Sequence, residues 1–398
     1  MLQVVTKEAA IAIIREKTAH LTAQTQRVPL ADAAGRILAA DLIADEDIPA
    51  FDRSTVDGYA VIAADTFGAG AAIPAQLETV GEILMGEAAE TPLSRGQCVR
   101  ISTGGMLPPG ANAAVMVEHT EQAEDLCLIY KAVAPFENVT RKGDDIARGD
   151  ALLKQGALLR AAQIGVLAAL GVREVDVFKR PVIAIISTGD EITEGAPQPG
   201  QIRDINSYLL AAAVREAGCE ALVYGVVRDR RDAIEKAVRD CLRDADAVLL
   251  SGGSSAGTRD LTVQIIDALG EVYFHGIAMK PGKPTIFGMI AGKPVFGLPG
   301  HPLAAYFVFR LIVTDWIKAC LRQPDDAPVC SGPLAVNIPS NHGRTEFLCV
   351  TIGSGGEVKP LHTKSGVISV LSASEGFIEI PRDAEGLAQG TIVKVYRL

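Results

Sequence analysis

The spacing of apolar residues changes near residue 180, and this change separates regions of different predicted structure. From there to about residue 320, apolar runs of strand length alternate with stretches in which apolar residues recur at helical spacing. The predicted strands include "PVIAIIST", "ALVYGVV", "DAVLLS" and "KPVFGLPG", and the predicted helices include "NSYLLAAAVREAG", "RRDAIEKAVRDCLRDA" and "HPLAAYFVFRLIVTDWIKACL". This alternation predicts a parallel or mostly parallel sheet with helices on both faces.

The flanking regions follow another pattern. After an amphipathic helix, "TKEAAIAIIREKTAH", short apolar pieces are broken by Gly, Pro and Asp, which predicts extended segments and turns up to about residue 140. A helix is predicted at 157–172, ending at Gly171. Beyond the linker "RQPDDAPVCSGP", the stretches "EFLCVTI", "GVISVLS", "GFIEIP" and "TIVKVYRL" predict a small all-β domain.

The composition excludes several classes of protein. A net charge of -10 and a pI of about 5.2 argue against a primary binder of duplex nucleic acid. The seven cysteines form no C-x-x-C pair and the six histidines no H-E-x-x-H motif, which indicates reduced thiols and no His/Cys zinc site. The chain has no Walker A motif, no G-x-G-x-x-G after a strand and no G-x-S-x-G elbow. No targeting or membrane-spanning segment is found, so we expect a soluble, cytoplasmic protein.

A loop rich in Gly and Ser, "SGGSSAGTRD" at 251–260, follows the buried strand that ends at Leu250. A helical stripe follows it, with Thr258 or Asp260 as candidate N-caps. Such a loop before a helix N-terminus directs free backbone N–H groups at one point, which suits phosphate or another oxyanion. A tight turn without a ligand is the alternative.

Further polar loops follow the other predicted strands: "STGDE" (187–191), "RDR" (228–230) and "GLPGHP" (297–302). Ligands of open parallel sheets bind in the crevice at the carboxyl ends of the strands, so the set of loops predicts a binding site. For a single carboxylate, a cap or a solvated turn is the alternative. The carboxylates in these loops are Asp190, Glu191, Asp229 and Asp260.

Two lysines, Lys280 and Lys283, lie on the proline-rich turn "MKPGKPTIFG". Two ammonium groups held close together suit a phosphate or another dianion, and a solvated pair is the alternative. A carboxylate ~5 Å from an anionic ligand would be repelled by roughly 3 kcal/mol at an effective dielectric near 20. Acidic loops and an anion are therefore compatible only if the lysines or a divalent cation intervene, and Mg²⁺ shares oxygen ligands with phosphates.

Two upstream clusters are weaker signals when each is taken alone. The stretch "FDRSTVDGYAV" at 51–61 contains Asp52, Asp57 and Gly58, for which plain turn chemistry is the alternative. The stretches "RISTGGMLPPGANAAVMVEHT" and "TRKGDDI" add Thr103, Arg141, Asp144 and Asp145.

Taken together, these motifs resemble the MoeA family, the molybdopterin molybdenumtransferases, which also occur as the E domain of gephyrin. All of them except "RDR", seven motifs in all, carry the resemblance and occur in the family's order between about residues 50 and 310, and "HTKSGVISVLS" fits as well. The resemblance implies a multidomain α/β plus β protein with a central doubly wound, mostly parallel α/β domain. The implied domains are an N-terminal dimerisation region (1–45 with 145–178), an inserted β-rich domain (46–144), a molybdopterin-binding α/β domain (179–325) and a small C-terminal β-barrel (326–398).

The resemblance also implies an activity: Mg²⁺-dependent insertion of molybdate into the dithiolene of adenylylated molybdopterin, with release of AMP. It implies a homodimer in which the inserted domain of one subunit reaches the cleft of the other. Transient contacts with molybdopterin adenylyltransferase and with molybdoenzyme clients are expected, but none with nucleic acid or membrane.

The resemblance assigns roles to individual residues. Catalytic roles are implied for Asp57, Glu191, Asp260, Lys280 and Lys283. The implied metal ligands are Glu191, Asp229 and Asp260. Contacts to the pterin nucleotide are implied for Thr103, Arg141, Thr188, Gly189, Asp190, Asp229, Ser251, Gly252, Gly253, Ser254, Gly257, Pro299 and His301.

The chain departs from the family pattern beside the expected cleft, at Gly105, Ser254, Ala256 and His301. These departures leave open a paralogue that inserts tungstate or serves one client enzyme. Rival hypotheses are molybdopterin adenylyltransferase, which needs only the central domain, and a scaffold or carrier, for which the acidic and lysine positions are unnecessary. A nicotinamide-dependent dehydrogenase ranks last because its fingerprint is absent.

Overall fold

The computed structural model describes residues 4–252, 256–361 and 366–398, with 256–260 described by their backbone. The chain divides into two compact units. Unit one comprises Met1–Ala40, Gln155–Leu159 and Val175–Leu398, and unit two comprises Asp41–Lys154 and Arg160–Glu174. The predicted N-terminal region (1–45 with 145–178) has residues in both units, and the boundaries of the four predicted domains stay a prediction.

The α-helices in the described part of the chain are labelled in chain order. They are α1 (Lys7–Thr18), α2 (Ala161–Ala169), α3 (Asn206–Glu216), α4 (Arg231–Asp244), α5 (Ala256–Leu269), α6 (Pro302–Val308), α7 (Thr314–Leu321) and α8 (Ser369–Ala373). A π-helical segment, Phe309–Val313, joins α6 to α7. Short 3-10 turns lie at Leu30–Asp32, Ala63–Thr66 and Val117–His119.

A six-stranded sheet forms the centre of unit one. Its strands are β1 (Val182–Thr188), β2 (Glu220–Val227), β3 (Ala247–Gly252), β4 (Glu271–His275), β5 (Ile286–Ile290) and β6 (Lys293–Leu298). The spatial order is β2-β1-β3-β6-β5-β4, in which the first four strands are parallel and β5 is antiparallel to both of its neighbours, β6 and β4. The predicted mostly parallel sheet is confirmed.

The sheet is buried on both faces because its strands are apolar at successive positions. Ile183, Ile185 and Leu249 pack on one face with α3, α6 and α7. Ala184, Ile186 and Val248 pack on the other face with α4 and α5. Helix α1 adds Ala10 and Ile14 to the first of these cores. The doubly wound arrangement is therefore as predicted.

The C-terminal part of unit one closes into a small β-barrel. A bridge between Phe377 and Tyr396 joins two of its strands, and a second bridge, between Leu334 and Val358, completes the ring. The ring order of the strands is Cys330–Pro333, Ile392–Val395, Gly376–Ile380, Thr345–Ile352 and Val358–Pro360. Shorter strand pairs of unit one are Thr25–Pro29 with Glu174–Phe178, Ile192–Thr193 with Ile202–Arg203, and Ile338–Pro339 with Gly386–Leu387.

Unit two contains a second six-stranded sheet. In spatial order its strands are Ala113–Met116, Gly58–Val61, Gln97–Ile101, Ala75–Ile83, Leu126–Ile129 and Thr120–Ala123. One face buries Tyr59 and Leu77, and the other buries Ile83 and Ile101. The remaining strand pairs of unit two are Leu42–Ile43 with Ala151–Leu153 and Arg53–Ser54 with Val139–Thr140. The β-like prediction for this region is confirmed.

Three predicted elements differ from the structure. The predicted helix at 157–172 begins only at Ala161, because Ala157 and Leu159 hydrogen-bond through their backbones to residues 35–38. Helix α5 begins at Ala256, so neither Thr258 nor Asp260 is its N-cap. The stretch "GVISVLS", predicted as a strand, contains helix α8 instead.

Candidate functional site

The carboxyl ends of the parallel strands bring the predicted ligand loops to one edge of the sheet. Thr188, the last residue of β1, lies opposite Val227 of β2 and Gly252 of β3. Ser251 in turn lies opposite Leu298 of β6. Strands β1, β2, β3 and β6 therefore end side by side, at residues 188, 227, 252 and 298, as the sequence predicts.

Gly252 of β3 lies directly against Thr188 of β1 at this edge. A Cβ atom there would lie 2.1 Å from Thr188 Oγ1 and 2.2 Å from the Thr188 carbonyl oxygen. No side chain fits that space, so glycine is required where β3 leads into the loop.

Two of the predicted ligand loops meet at this edge. Asp190 Oδ1 accepts a hydrogen bond from the Asp229 backbone N–H at 3.3 Å. Glu191 follows directly and is exposed. Carboxylates carried by neighbouring loops suit Mg²⁺, which uses one or two protein carboxylates together with substrate phosphates and water. Among the described side chains, no group of three or more His, Cys, Asp and Glu has metal-binding geometry, so these side chains alone do not form a complete cage.

A buried polar network, which no sequence pattern predicts, lies beneath the same edge. Ser187 Oγ donates to Asp204 Oδ1 at 3.0 Å, and the Ser207 backbone N–H donates to the same oxygen at 3.1 Å. Asn206 Nδ2 donates to Ser251 Oγ at 2.8 Å and to the Gly300 carbonyl at 2.9 Å. The network connects the start of α3 to the ends of β1 and β3 and to the loop after β6.

The predicted lysine turn lines a cavity of about 840 Å³ between the α/β core and the barrel, both within unit one. The short strand Met279–Lys280 pairs in parallel with Thr345 and Glu346 of the barrel. Pro299 and His301 of the "GLPGHP" loop line the same cavity. The structure therefore brings the predicted lysine turn and one predicted ligand loop together.

The cavity carries more cations than anions. Lys280 Nζ contacts Glu346 Oε1 at 2.7 Å, and Ser340 Oγ donates to Glu346 Oε2 at 2.7 Å. Glu346 is only 5% exposed, and its charge is balanced by Lys280. Lys283 and Arg344 are exposed cavity-lining cations beyond this pair. The net positive charge suits a small dianion.

The sequence does not predict Arg344 and Glu346 as cavity residues, nor Ser340 as the hydrogen-bond partner of Glu346. Arg344 and Glu346 lie some 60 residues from the lysine turn along the chain and line the cavity through the pairing of residues 279–280 with 345–346. The predicted contacts of Gly253 and Ser254 and of the side chain of Asp260 lie outside the described residues, as does the surrounding of Gly257.

Unit two holds the remaining predicted site residues. Asp57 Oδ1 accepts the Thr103 backbone N–H at 2.7 Å, and hydrogen bonds from Thr103 hold the Asp57 pKa below its usual range. Arg141 forms an ion pair with Asp144, with Nε 3.4 Å from Oδ1, and lies over the Phe136 ring. The structure thus places Asp57 beside Thr103, while Arg141 is engaged with Asp144.

No helix in the described part of the chain is long and apolar enough to cross a membrane.

Comparison with known families gives three matches along the chain. Residues 5–171 match the model described as "MoeA N-terminal region (domain I and II)". Residues 184–319 match the "Probable molybdopterin binding domain", and residues 331–398 match the "MoeA C-terminal region (domain IV)". The three matches follow one another in the order that the resemblance implies.

Individual proteins are similar over almost the whole chain. Molybdopterin molybdenumtransferase 2 of Mycobacterium tuberculosis is 34% identical over 385 residues, which cover 93% of this chain and 94% of that protein. Molybdopterin molybdenumtransferase of Bacillus subtilis is 33% identical, with 94% and 89% covered. The crystal structure of the molybdopterin biosynthesis MoeA protein from Pyrococcus horikosii has a TM-score of 0.84 at 38% identity, with 99% of each chain covered.

The order of the matched domains, the similarity over nearly the full length and the shared fold agree with the motifs. The chain belongs to the MoeA family, the molybdopterin molybdenumtransferases.

Proposed function

We propose that this protein inserts molybdate into the dithiolene of adenylylated molybdopterin in a Mg²⁺-dependent reaction that releases AMP. The observation that carries the proposal is the cationic cavity of about 840 Å³ next to the ligand loops. Family membership supports the substrate class, and the cavity supports the use of an oxyanion.

The oxyanion is proposed to bind among Lys280, Lys283 and Arg344. Lys283 and Arg344 supply charge, and Arg344 can also present two parallel N–H donors to two oxygens of a tetrahedral anion. Lys280 is held by Glu346, which fixes its ammonium group at the cavity wall. One carboxylate among these cations leaves a net positive charge, so a dianion is attracted rather than repelled.

The pterin nucleotide is proposed to bind along the strand ends, at Thr188, Gly189, Ser251 and Gly252. Their backbone groups lie together at one edge of the sheet, where free N–H groups can bind a phosphate. Asp190 and Asp229 would hold Mg²⁺, with Glu191 and Asp260 as further predicted ligands. Mg²⁺, when bound, neutralises the repulsion between these carboxylates and the substrate phosphates.

We also propose that the protein acts in the cytoplasm as a homodimer, in which Asp57, Thr103 and Arg141 of one subunit serve the site of the other. Light scattering coupled to size-exclusion chromatography measures the mass directly. A mass of one chain, 41.8 kDa, at assay concentration would contradict the dimer.

Single-turnover release of AMP from adenylylated molybdopterin tests the proposed reaction. With Mg²⁺ present, we expect release to depend on molybdate and to yield molybdenum cofactor. Faster release with tungstate than with molybdate would identify a tungstate-inserting paralogue. Tight binding of the adenylylated pterin without release under either oxyanion would instead indicate a carrier or scaffold and would refute the enzyme proposal.

A further inference from the structure

Asn206 occupies a distinctive position at the edge of the sheet. It is the first residue of α3, its side chain is buried, and the residue is only 7% exposed. Its amide nitrogen Nδ2 donates to Ser251 Oγ at the end of β3 and to the Gly300 carbonyl in the loop after β6. One NH₂ group therefore connects the end of β3 to the loop after β6.

The chemistry of the amide explains why this residue type is suited to the position. An asparagine NH₂ group offers two N–H donors, and here each has an acceptor at hydrogen-bond distance. An aspartate of the same shape has no donor when ionised, so it would lose both bonds. The arrangement is specific for an amide.

The start of α3 is itself fixed in place. Asp204 Oδ1 accepts both the Ser207 backbone N–H and the Ser187 hydroxyl. These bonds fix the first turn of α3 against the end of β1, which holds the Asn206 side chain in its bridging position. Asn206 is therefore pre-organised, because the hydrogen bonds of Asp204 hold the helical turn that carries it.

The amide oxygen of Asn206 points to a function beyond packing. Oδ1 is buried and has no hydrogen-bond partner among the described residues. Burying an unpaired amide oxygen destabilises a fold, and a buried polar atom left in that state calls for a functional explanation. The oxygen leaves an acceptor available at the edge where the nucleotide is proposed to bind.

We propose that Asn206 is a positioning residue for the transferase reaction, which sets the spacing between the end of β3 and the loop after β6. This inference rests on the proposed function for its catalytic consequence. Asn206 acts through Ser251 and Gly300 and not by contact with the reacting atoms.

Asn206→Asp tests the inference with little change in side-chain volume, and Asn206→Ala serves as a second variant should the charge prevent folding. Ser207→Ala is the matched control. It removes the Ser207–Ser187 hydroxyl contact at 2.8 Å in the same helical turn and leaves the bonds of Asn206 to Ser251 and Gly300 in place. We expect the rate of single-turnover AMP release to fall on the order of 10²-fold in the Asn206 variants, as misplaced reacting groups do. The dissociation constant of the adenylylated pterin should change less than tenfold.

The split between rate and affinity separates positioning from a merely structural role. Equal loss of rate in Asn206→Ala and Ser207→Ala, at matched thermal midpoints, would overturn the inference. So would an unchanged rate in both Asn206 variants while the wild-type protein is active.

A second readout does not depend on activity. Hydrogen exchange at the Gly300 and His301 amides should accelerate about tenfold or more in Asn206→Ala, because the loop loses its tie to α3. Unchanged exchange would refute the inference even if the wild-type protein released no AMP. Failure of the wild-type reaction with accelerated exchange would refute the proposed function alone.

Discussion

The cationic cavity and the acidic edge of the sheet are built in opposite ways. In the cavity, side chains from two distant segments meet, and a buried carboxylate, Glu346, holds one of the cations. At the edge, strand ends bring the loops of Asp190 and Asp229 together, and a backbone N–H holds Asp190. The first arrangement suits an anion and the second a cation.

This difference explains how one protein can bind a dianion and a divalent cation in the same unit. If the carboxylates and lysines were mixed, they would neutralise one another and attract neither ion. Because the two sets are separate, the cavity keeps a net positive charge, and the lysines do not neutralise the carboxylates at the strand ends. Variants that change only the cavity or only the strand ends therefore test each binding site separately.

Gly252→Ala disrupts the acidic edge without changing any charge. The new Cβ atom would meet Thr188 oxygens at 2.1 and 2.2 Å, so we expect the free energy of unfolding to fall by about 3 kcal/mol. Chemical denaturation measures the change. Gly165→Ala on α2 is the control, because its Cβ meets nothing within 4 Å and should be neutral or stabilising. Equal stability of the two variants would contradict the tight approach.

Lys283→Met removes one cavity cation, which has no ion-pair partner among the described residues that the substitution would leave uncompensated. We expect the affinity for molybdate, measured by equilibrium binding, to weaken on the order of 10²-fold. Lys394→Met, at an exposed lysine on a barrel strand, should leave the affinity unchanged. Similar weakening in both variants would mean that only the overall charge of the protein matters.

Asp229→Asn removes one of the carboxylates in the loops at the strand ends. We expect the Mg²⁺ concentration for half-maximal AMP release to rise about tenfold, because an amide oxygen is a weaker ligand for a hard cation. Asp232→Asn, which affects an exposed ion pair with Arg230 nearby, should not shift it. An unchanged Mg²⁺ requirement in Asp229→Asn would place the cation elsewhere.

Lys280→Met leaves the buried Glu346 carboxylate without its cation. We expect the free energy of unfolding to fall by about 1 kcal/mol, a modest value because the Lys280 side chain is 50% exposed. Adding Glu346→Gln should restore stability and the net charge of the cavity, but not the full molybdate affinity if Lys280 contacts the anion directly. Restoration of the full affinity would show that Lys280 makes no such contact.

The smallest expected effect is that of the Asp57–Thr103 contact in unit two on the stability of the fold. Hydrogen bonds from Thr103 depress the Asp57 pKa. The contact therefore stabilises the folded state above the ordinary pKa of about 3.9, and this stabilisation is lost as the pH falls through the lower folded value. An NMR titration of the Asp57 carboxyl carbon should give a midpoint below that ordinary value. A midpoint at or above it would contradict the Asp57–Thr103 contact.

The sequence predicted the acidic edge better than the cavity, for a physical reason. Parallel strands bring their carboxyl ends together, so loops such as "STGDE" and "RDR" could be assigned to one edge from local patterns. Lys280 and Lys283 were found because they lie close together in the chain.

The partners of those lysines could not be found in this way. Glu346 and Arg344 join them through a strand pairing between distant segments, and Asn206 joins its loops by side-chain bonds without a periodic signature. Helix α8 was missed because "GVISVLS" is rich in β-branched residues, whose strand preference the tertiary structure overrides.

The most direct test of the two-region account is a crossed titration of single-turnover AMP release in Lys283→Met and Asp229→Asn. Each variant is titrated with molybdate at saturating Mg²⁺, and with Mg²⁺ at saturating molybdate. The account predicts that Lys283→Met shifts only the molybdate curve and Asp229→Asn only the Mg²⁺ curve. Equal shifts of both curves in either variant would contradict the separation of anion and cation sites.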